Sequence, residues 1–416
     1  MKDSGVQWIG LIPDDWKIER FKFTHQGSNV GESIDKNFCA ENEGDIVFYT
    51  AGLNPIMTNY KDFPIWKYTD SRDLLLARNG TPYVYLPIEQ AAYSDHIIRV
   101  KIKDGYSKRF IRYCLQQSIK NEVVDTVSIT TWSVPIWDSQ FLSIPNLSQQ
   151  KKIADFLDKK CSEIQSAIDN TKQTIEEYKK LKQAVITKAV TKGIRENRKL
   201  KDSDSVWFAD IPEDWEVRKL RHIGTLQNGI SKGGEFFGSG YPFVSYGDVY
   251  KNYSLPNPPF GLIESSKEEQ DRYSVKKGDI FFTRTSETIE EVGYASVCKE
   301  TIPNATFAGF LIRVRPFYEK LNIDYAMYYF RSEHLRFYLV KEMNIVTRAS
   351  LGQDLLKNMP VLLPPMDEQQ EIADYLDKKC SQIDTLISQK ERFITELEKY
   401  KQSLIYEYVT GKKEVK

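Results

Sequence analysis

Cys161, Ile164, Ile168, Ile175 and Tyr178 fall on a series spaced alternately three and four residues apart, with polar Thr171 completing it. That is the a/d spacing of a coiled-coil seam. The series recurs as Cys380, Ile383, Ile387, Ile394 and Leu397, with Lys390 standing where Thr171 stood. Each stretch runs some forty residues without proline, enough for a rod of about 60 Å. Ser148 and Asp367 are the expected N-caps, and Gly193 and Gly411 the expected stops. Elsewhere the apolar runs are short. DLLLAR (Asp73 to Arg78) and DIFFTR (Asp279 to Arg284) each predict a buried strand that ends in arginine and enters a polar loop. A strand fragment IRV follows in each copy, at Ile98 to Val100 and Ile312 to Val314, and then an amphipathic helical stretch, near Lys108 to Glu122 and Asn322 to Glu342.

The order of elements is therefore repeated, and local identity supports a duplication. IADFLDKKCSEI (Ile153 to Ile164) and IADYLDKKCSQI (Ile372 to Ile383) agree at ten of twelve positions. WIGLIPDDW (Trp8 to Trp16) and WFADIPEDW (Trp207 to Trp215) share an IPxDW turn. With a period near two hundred residues this is a duplicated module and not a solenoid. The fold class expected is α+β: two globular α/β heads, residues 1–147 and 201–366, separated by two long repeated helices, 148–200 and 367–416. Such copies pack most economically as an antiparallel coiled coil about a pseudo-twofold axis.

Charge refines this picture. The 416 residues carry 58 basic and 58 acidic side chains, so the net charge is zero. Each head is slightly acidic, and only residues 149–200 are clearly basic, with 13 basic and 7 acidic side chains. A chain that bound nucleic acid unaided would carry a larger basic surplus. The chain holds no run of ~18 apolar residues that could span a bilayer, so no membrane association is expected. Five scattered cysteines without a CxxC pair suit a reducing cytoplasm, and neither they nor the four histidines show metal-ligand spacing.

The heads share a framework but differ in their polar loops, where function concentrates. In the first these are NGTPYVYLP after Arg78 and VSITTWSVP from Val127 to Pro135. In the second they are NGISKGGEFFGSGYPFVSYGD from Asn228 to Asp248, TSETIEEVG after Arg284 and NIVTRASLG from Asn344 to Gly352. Ser, Thr, Asn, Tyr and Arg predominate, the types that reach phosphates and base edges. FFGSG (Phe236 to Gly240) and NPPF (Asn257 to Phe260) imitate the two signatures of an adenine methyltransferase, but only sixteen residues separate them. In that fold several βα units of roughly 30 residues intervene. A catalytic role for this chain is therefore not expected.

GLIPDDW, ADIPEDW, GDIFFTR, LLPPMDEQQEIADYLDKK and the helix ends KAVTKG and YVTGK, taken together, resemble the specificity subunit of a type I restriction–modification system. The resemblance covers essentially the whole chain; the first copy departs from it with LSQQKKIADFLDKK. It implies two target-recognition domains, each reading half of a bipartite, asymmetric double-stranded DNA target, with the helix pair setting an unread spacer. It also implies two methyltransferase subunits, which bring S-adenosylmethionine, and a restriction/translocase subunit using ATP and Mg, with no cofactor in this chain. For base readout the resemblance and the loop chemistry together single out Arg78, Asn79, Thr81, Tyr83, Thr130, Thr131 and Trp132 in the first head. In the second they single out Lys232, Ser245, Tyr246, Arg284, Ser286, Thr288 and Arg348. Arg78 and Arg284, at equivalent positions in unlike heads, are alternatively expected as phosphate anchors or structural residues. The rival expectation is a duplicated coiled-coil scaffold whose heads bind proteins and never meet DNA.

Overall fold

Strands form where the short apolar runs place them, and in the same arrangement twice. The computed structural model describes residues 1–40, 43–121, 131–286, 292–317, 321–342 and 349–415. Two units divide the chain: Met1–Thr171 with Glu391–Lys416, and Lys172–Lys390. The first unit contains a four-stranded antiparallel sheet in the order His25–Val30, Ile97–Ile102, Asp73–Ala77, Val84–Tyr85. Its counterpart in the second unit is Gly224–Asn228, Leu311–Pro316, Ile280–Thr283, Ala295–Val297. A three-stranded sheet with one antiparallel and one parallel pairing accompanies each: Ile56–Thr58, Ile46–Tyr49, Ala92–Tyr93, and then Gly261–Ile263, Phe237–Val244, Thr306–Phe307. The DLLLA and IFFT strands are buried along their whole length, as uninterrupted apolar runs require.

The arginine of each IRV fragment serves the framework. Arg99 donates to the carbonyl of Tyr68 (3.0 Å), and Arg313 to the carbonyl of Ser274 and to the side chain of Gln227. Burial pulls the pKa of the Arg313 guanidinium down to about 10, and the buried Asp279 beside it is held by Arg315 in a bidentate pair at 2.6 Å. FFGSG lies against and within the middle strand of the three-stranded sheet, paired there antiparallel with Gly261–Ile263, not in the strand-to-helix turn of a nucleotide site.

In each unit the last strand of a two-stranded ribbon, Phe141–Ile144 or Pro360–Leu363, leads into a long helix. These helices span Leu147–Lys192 and Met366–Val409. Within the first unit Phe156 packs on Tyr408 (4.5 Å between rings) and Gln165 bonds Lys401 (3.0 Å). Within the second Lys182 pairs with Asp384 (2.7 Å) and Arg195 with Glu371 (2.8 Å). In both, rising numbers on one helix meet falling numbers on the other, so the segments are antiparallel.

The seam residues Cys161, Ile164, Ile168, Ile175, Cys380 and Ile383 are buried, while Tyr178, Ile387, Ile394 and Leu397 are half-buried. Thr171 is buried too, its hydroxyl donating to the carbonyl of Ala167 (2.7 Å), and the division into units falls at Thr171 and Lys390.

The near-identical twelve-residue repeat is explained by what it holds. Ile153, Ala154, Leu157 and their counterparts Ile372, Ala373, Leu376 are core residues. Asp158 accepts from the hydroxyl of Tyr113 (2.7 Å) and Asp377 from that of Tyr328 (2.6 Å), so each tyrosine docks its head on the long helix. Burial, chiefly, raises the pKa of both hydroxyls.

Three local expectations are corrected. Asn146, not Ser148, caps the first long helix, its carboxamide oxygen accepting from the Gln149 amide (3.0 Å). Asp367 sits inside the first turn of the second. The stretch 322–342 is two helices, Ile323–Tyr329 and Glu333–Glu342. Between them Arg331 turns inward to donate to the carbonyls of Val249, Tyr250, Asn252 and Ala295, a demand the periodicity of a single helix could not reveal. Gly193 and Gly411 do end their helices, with φ of +74° and +68°.

At those ends the IPxDW turns find their purpose. A Cβ on Gly411 would lie 2.5 Å from Pro13 Cδ and 3.3 Å from Trp16, and one on Gly193 would lie 3.2 Å from Trp215. Trp215, fully buried, donates its indole N–H to Glu368 (2.9 Å), itself fully buried and paired with Arg198. The turn thus clamps the end of one long helix to the start of the other, and Glu368, Arg198 and Arg195 carry that clamp in the second unit.

Candidate nucleic-acid interface

Arg78 and Arg284 each follow the central buried strand of their sheet, and each is held by its backbone in the same way. The Arg78 amide donates to the carbonyl of His96 (2.8 Å) and the Arg284 amide to that of Phe310 (2.9 Å). The arginine carbonyls accept from Trp132 (2.6 Å) and Leu351 (2.7 Å). The turn behind them is closed by the amides of Ile97 and Leu311 on the carbonyls of Ser94 (3.0 Å) and Ala308 (2.9 Å). The amides of Gly31 and Gly229 donate to the carbonyls of Ile97 (3.2 Å) and Leu311 (3.3 Å), and those of Glu32 and Ile230 to Tyr93 and Phe307 (both 2.9 Å). Gly31 and Gly229 pack against the turn so closely that a Cβ would come within 2.2 Å of its carbonyl oxygens. Four segments distant in sequence therefore converge on one point in each head: the arginine loop, the turn before the IRV strand, the glycine segment and the distal loop.

The candidate residues divide in this frame. Arg78 is exposed, with one long bond to the Asp95 carbonyl (3.4 Å). Asn79 bridges to exposed Thr131, and Thr81 is exposed beside them. Tyr83 is half-buried against Tyr85 (5.9 Å). Trp132 is buried, and its indole N–H donates to the Gly80 carbonyl (2.7 Å), so that donor braces the loop internally.

In the second head Arg284 is half-buried, and Ser286 lies in a short ladder, Thr285–Ser286 with Ala349–Ser350, that mirrors the Asn79–Thr131 bridge. The other described candidates there adjoin groups bonded to the same turn, Ser245 following Val244 and Lys232 standing two residues after Ile230, but their side chains are engaged elsewhere. Lys232 is committed to Glu269 and the Glu264 carbonyl (both 2.7 Å), and that bond from Lys232 holds the Glu269 carboxyl below its usual range. Ser245 caps the helix Tyr246–Lys251, exchanging bonds with Asp248. Tyr246 stacks on Tyr250 (6.1 Å). Thr130, Thr288 and Arg348 lie outside the described residues.

Sequence reasoning missed His96 and Phe310, the turn residues whose carbonyls hold the arginines. Their only signal is position, two residues before IRV in each copy. Among the described residues no group of His, Cys, Asp and Glu could hold a metal ion, and no helix is long and apolar enough to cross a membrane.

The profile of the type I restriction modification DNA specificity domain matches residues 21–179 and 212–396. The type I restriction enzyme EcoBI specificity subunit of Escherichia coli is 24% identical over 334 residues, covering 78% of this chain and 69% of its own. The MjaVIII specificity subunit of Methanocaldococcus jannaschii is 27% identical over 282 residues, covering 68% of this chain and 64% of its own. The chain thus spans about two thirds of the length of these relatives. Among solved structures, a chain of a type I R-M system covers 96% of this one and 98% of itself at 15% identity with a TM-score of 0.72. The HsdS subunit from Thermoanaerobacter tengcongensis has the same coverage and identity with a TM-score of 0.51. With both heads and most of both long helices matched, the chain belongs to the family of type I restriction–modification specificity subunits.

Proposed function

We propose that this chain reads a bipartite, asymmetric DNA target, the heads at 1–147 and 201–366 each taking one half. The antiparallel helix pair sets the unread spacer and is the main docking surface for two methyltransferase subunits, with a restriction/translocase subunit joining them. S-adenosylmethionine, ATP and Mg belong to those partners, and the complex works in the cytoplasm. The observation that carries this reading is the pair of matching backbone frames around Arg78 and Arg284, whose bonds agree within 0.1 Å while the surrounding side chains differ. A common frame with different side chains is what two half-sites of different sequence require.

The near-neutral charge fits a chain that decides sequence while its partners neutralise much of the backbone. The chain alone is accordingly expected to bind DNA weakly or to aggregate, and affinity to appear with the methyltransferase subunits. The test is co-expression with a methyltransferase subunit, followed by sequencing of the host DNA for methylation. A gapped motif altered on one side only when the first head is exchanged supports the reading. No new motif from a stable, active complex sinks it in favour of the scaffold.

A further inference from the structure

In the turn before each IRV strand the two heads combine the same backbone frame with side chains of different chemistry. His96 is 58% exposed and Phe310 65% exposed. Each is the residue whose carbonyl holds the arginine amide, so the residue at this position adjoins the arginine's backbone in both heads. In the second head local contacts hold the turn. Gly309 donates to the Ile230 carbonyl (2.7 Å), and a Cβ on it would lie 2.4 Å from Ser231 Oγ. A single exposed phenylalanine carries no meaning by itself. One fixed by matched backbone bonds beside the arginine loop, and replaced by histidine at the equivalent position, does.

We propose that this turn position is a specificity-determining position in each head and that Phe310 reads a thymine through its C5-methyl group; the proposal rests on the DNA-reading function above. A phenyl ring has neither donor nor acceptor, and in the major groove the thymine methyl is the base feature that an apolar side chain distinguishes. The imidazole of His96 hydrogen-bonds a base edge at the corresponding place in the other half-site. Two frames of one design thereby read two different bases.

The test uses the methyltransferase–specificity complex and its own target duplex, with deoxyuridine replacing each thymine in turn so that only the methyl group is lost. Exchanging the second head first assigns that head's half-site. In this half, one substitution is expected to weaken binding about fourfold, the worth of one buried methyl group. Phe310→Leu keeps that sensitivity and Phe310→Ala abolishes it. His96→Ala leaves the deoxyuridine profile unchanged and relaxes one position in the other half. The inference is overturned if no thymine in the second head's half is sensitive, or if the sensitivity survives Phe310→Ala while the bipartite preference is intact. A wild-type complex without any bipartite preference removes the underlying reading and this inference with it.

Discussion

Replacing Arg198 with alanine tests the clamp that joins the helix ends of the second unit. Glu368 is fully buried, and its carboxylate accepts from Arg198, whose Nη2 lies 3.1 Å away, and from the Trp215 indole at 2.9 Å. Arg195 stands off at 4.0 Å. Removing Arg198 leaves a buried carboxylate with one neutral donor and a distant cation, a loss of about 3–5 kcal/mol where a buried pair is broken on one side. Glu368→Gln removes the charge but keeps an acceptor for Trp215, and is expected to cost about 1.5–3 kcal/mol. Because the penalty of Arg198→Ala is mainly the orphaned charge, the same substitution in a Glu368→Gln background should cost much less. The double variant is therefore expected to fall short of additivity by about 2 kcal/mol.

The assay is thermal unfolding followed at the transition of the second unit. At about 2–4 °C per kcal/mol for a domain of this size, Arg198→Ala should lower its midpoint by about 6–20 °C. The natural comparison is the first unit, where Gln149 occupies the position of Glu368 and needs no such counter-charge. If Arg198→Ala costs as much in the Glu368→Gln background as in the wild type, the loss is one of packing and the orphaned charge has no part in it.

Arg195→Ala bears on acid stability. Bonds from Arg195 hold the carboxyls of Glu371 and Asp367 below their unperturbed values of 4.5 and 3.8. A carboxyl depressed by folding stabilises above its unfolded value and ceases to as pH falls through the folded one. The wild type should therefore resist urea better than the variant at pH 7 and lose that advantage progressively as pH falls below the unperturbed values; a gap that does not narrow on acidification would contradict it. Gly411→Ala should destabilise the first unit by more than Gly27→Ala. Both residues have φ near +67°, which costs a side chain about 1–2 kcal/mol, but a Cβ meets Pro13 at the first and open space at the second. Equal urea midpoints for the two would remove the IPxDW clamp from the account.

The scaffold was legible in the sequence because burial there follows a period. Three-four spacing marks Ile164 and Ile168 as inward, and DLLLA and IFFT are strands because nothing polar interrupts them. What escaped depends on contacts between residues far apart in the chain. Glu368 reads as one more acid at a helix start, and its burial is set by Arg198 and Trp215, more than 150 positions away. Lys232 and Ser245 look like free polar groups in a loop, yet each is committed to a carboxylate. Trp132 stands among threonines and serines, and only the fold brings Gly80 to its indole. The convergence on Arg78 and Arg284 was not legible, since it is made by backbone groups that no side-chain pattern records.

On the proposed reading, that convergence also separates two roles within the site. Arg78 and Arg284 are the same residue in the same frame in heads that otherwise present different chemistry, and what two different half-sites share is their phosphate backbone. Arginine at this point is therefore expected to anchor a phosphate, while its variable neighbour reads a base. Arg284→Ala in the methyltransferase complex should weaken every sequence alike, flatten the slope of log K against log salt by about 0.9, and leave the methylated motif as it was. A bidentate contact to guanine would behave oppositely, with discrimination at one base pair falling by about 1–3 kcal/mol and the slope little changed. A relaxed motif at constant salt slope would refute the assignment, and base reading in the second head would then begin at the arginine itself.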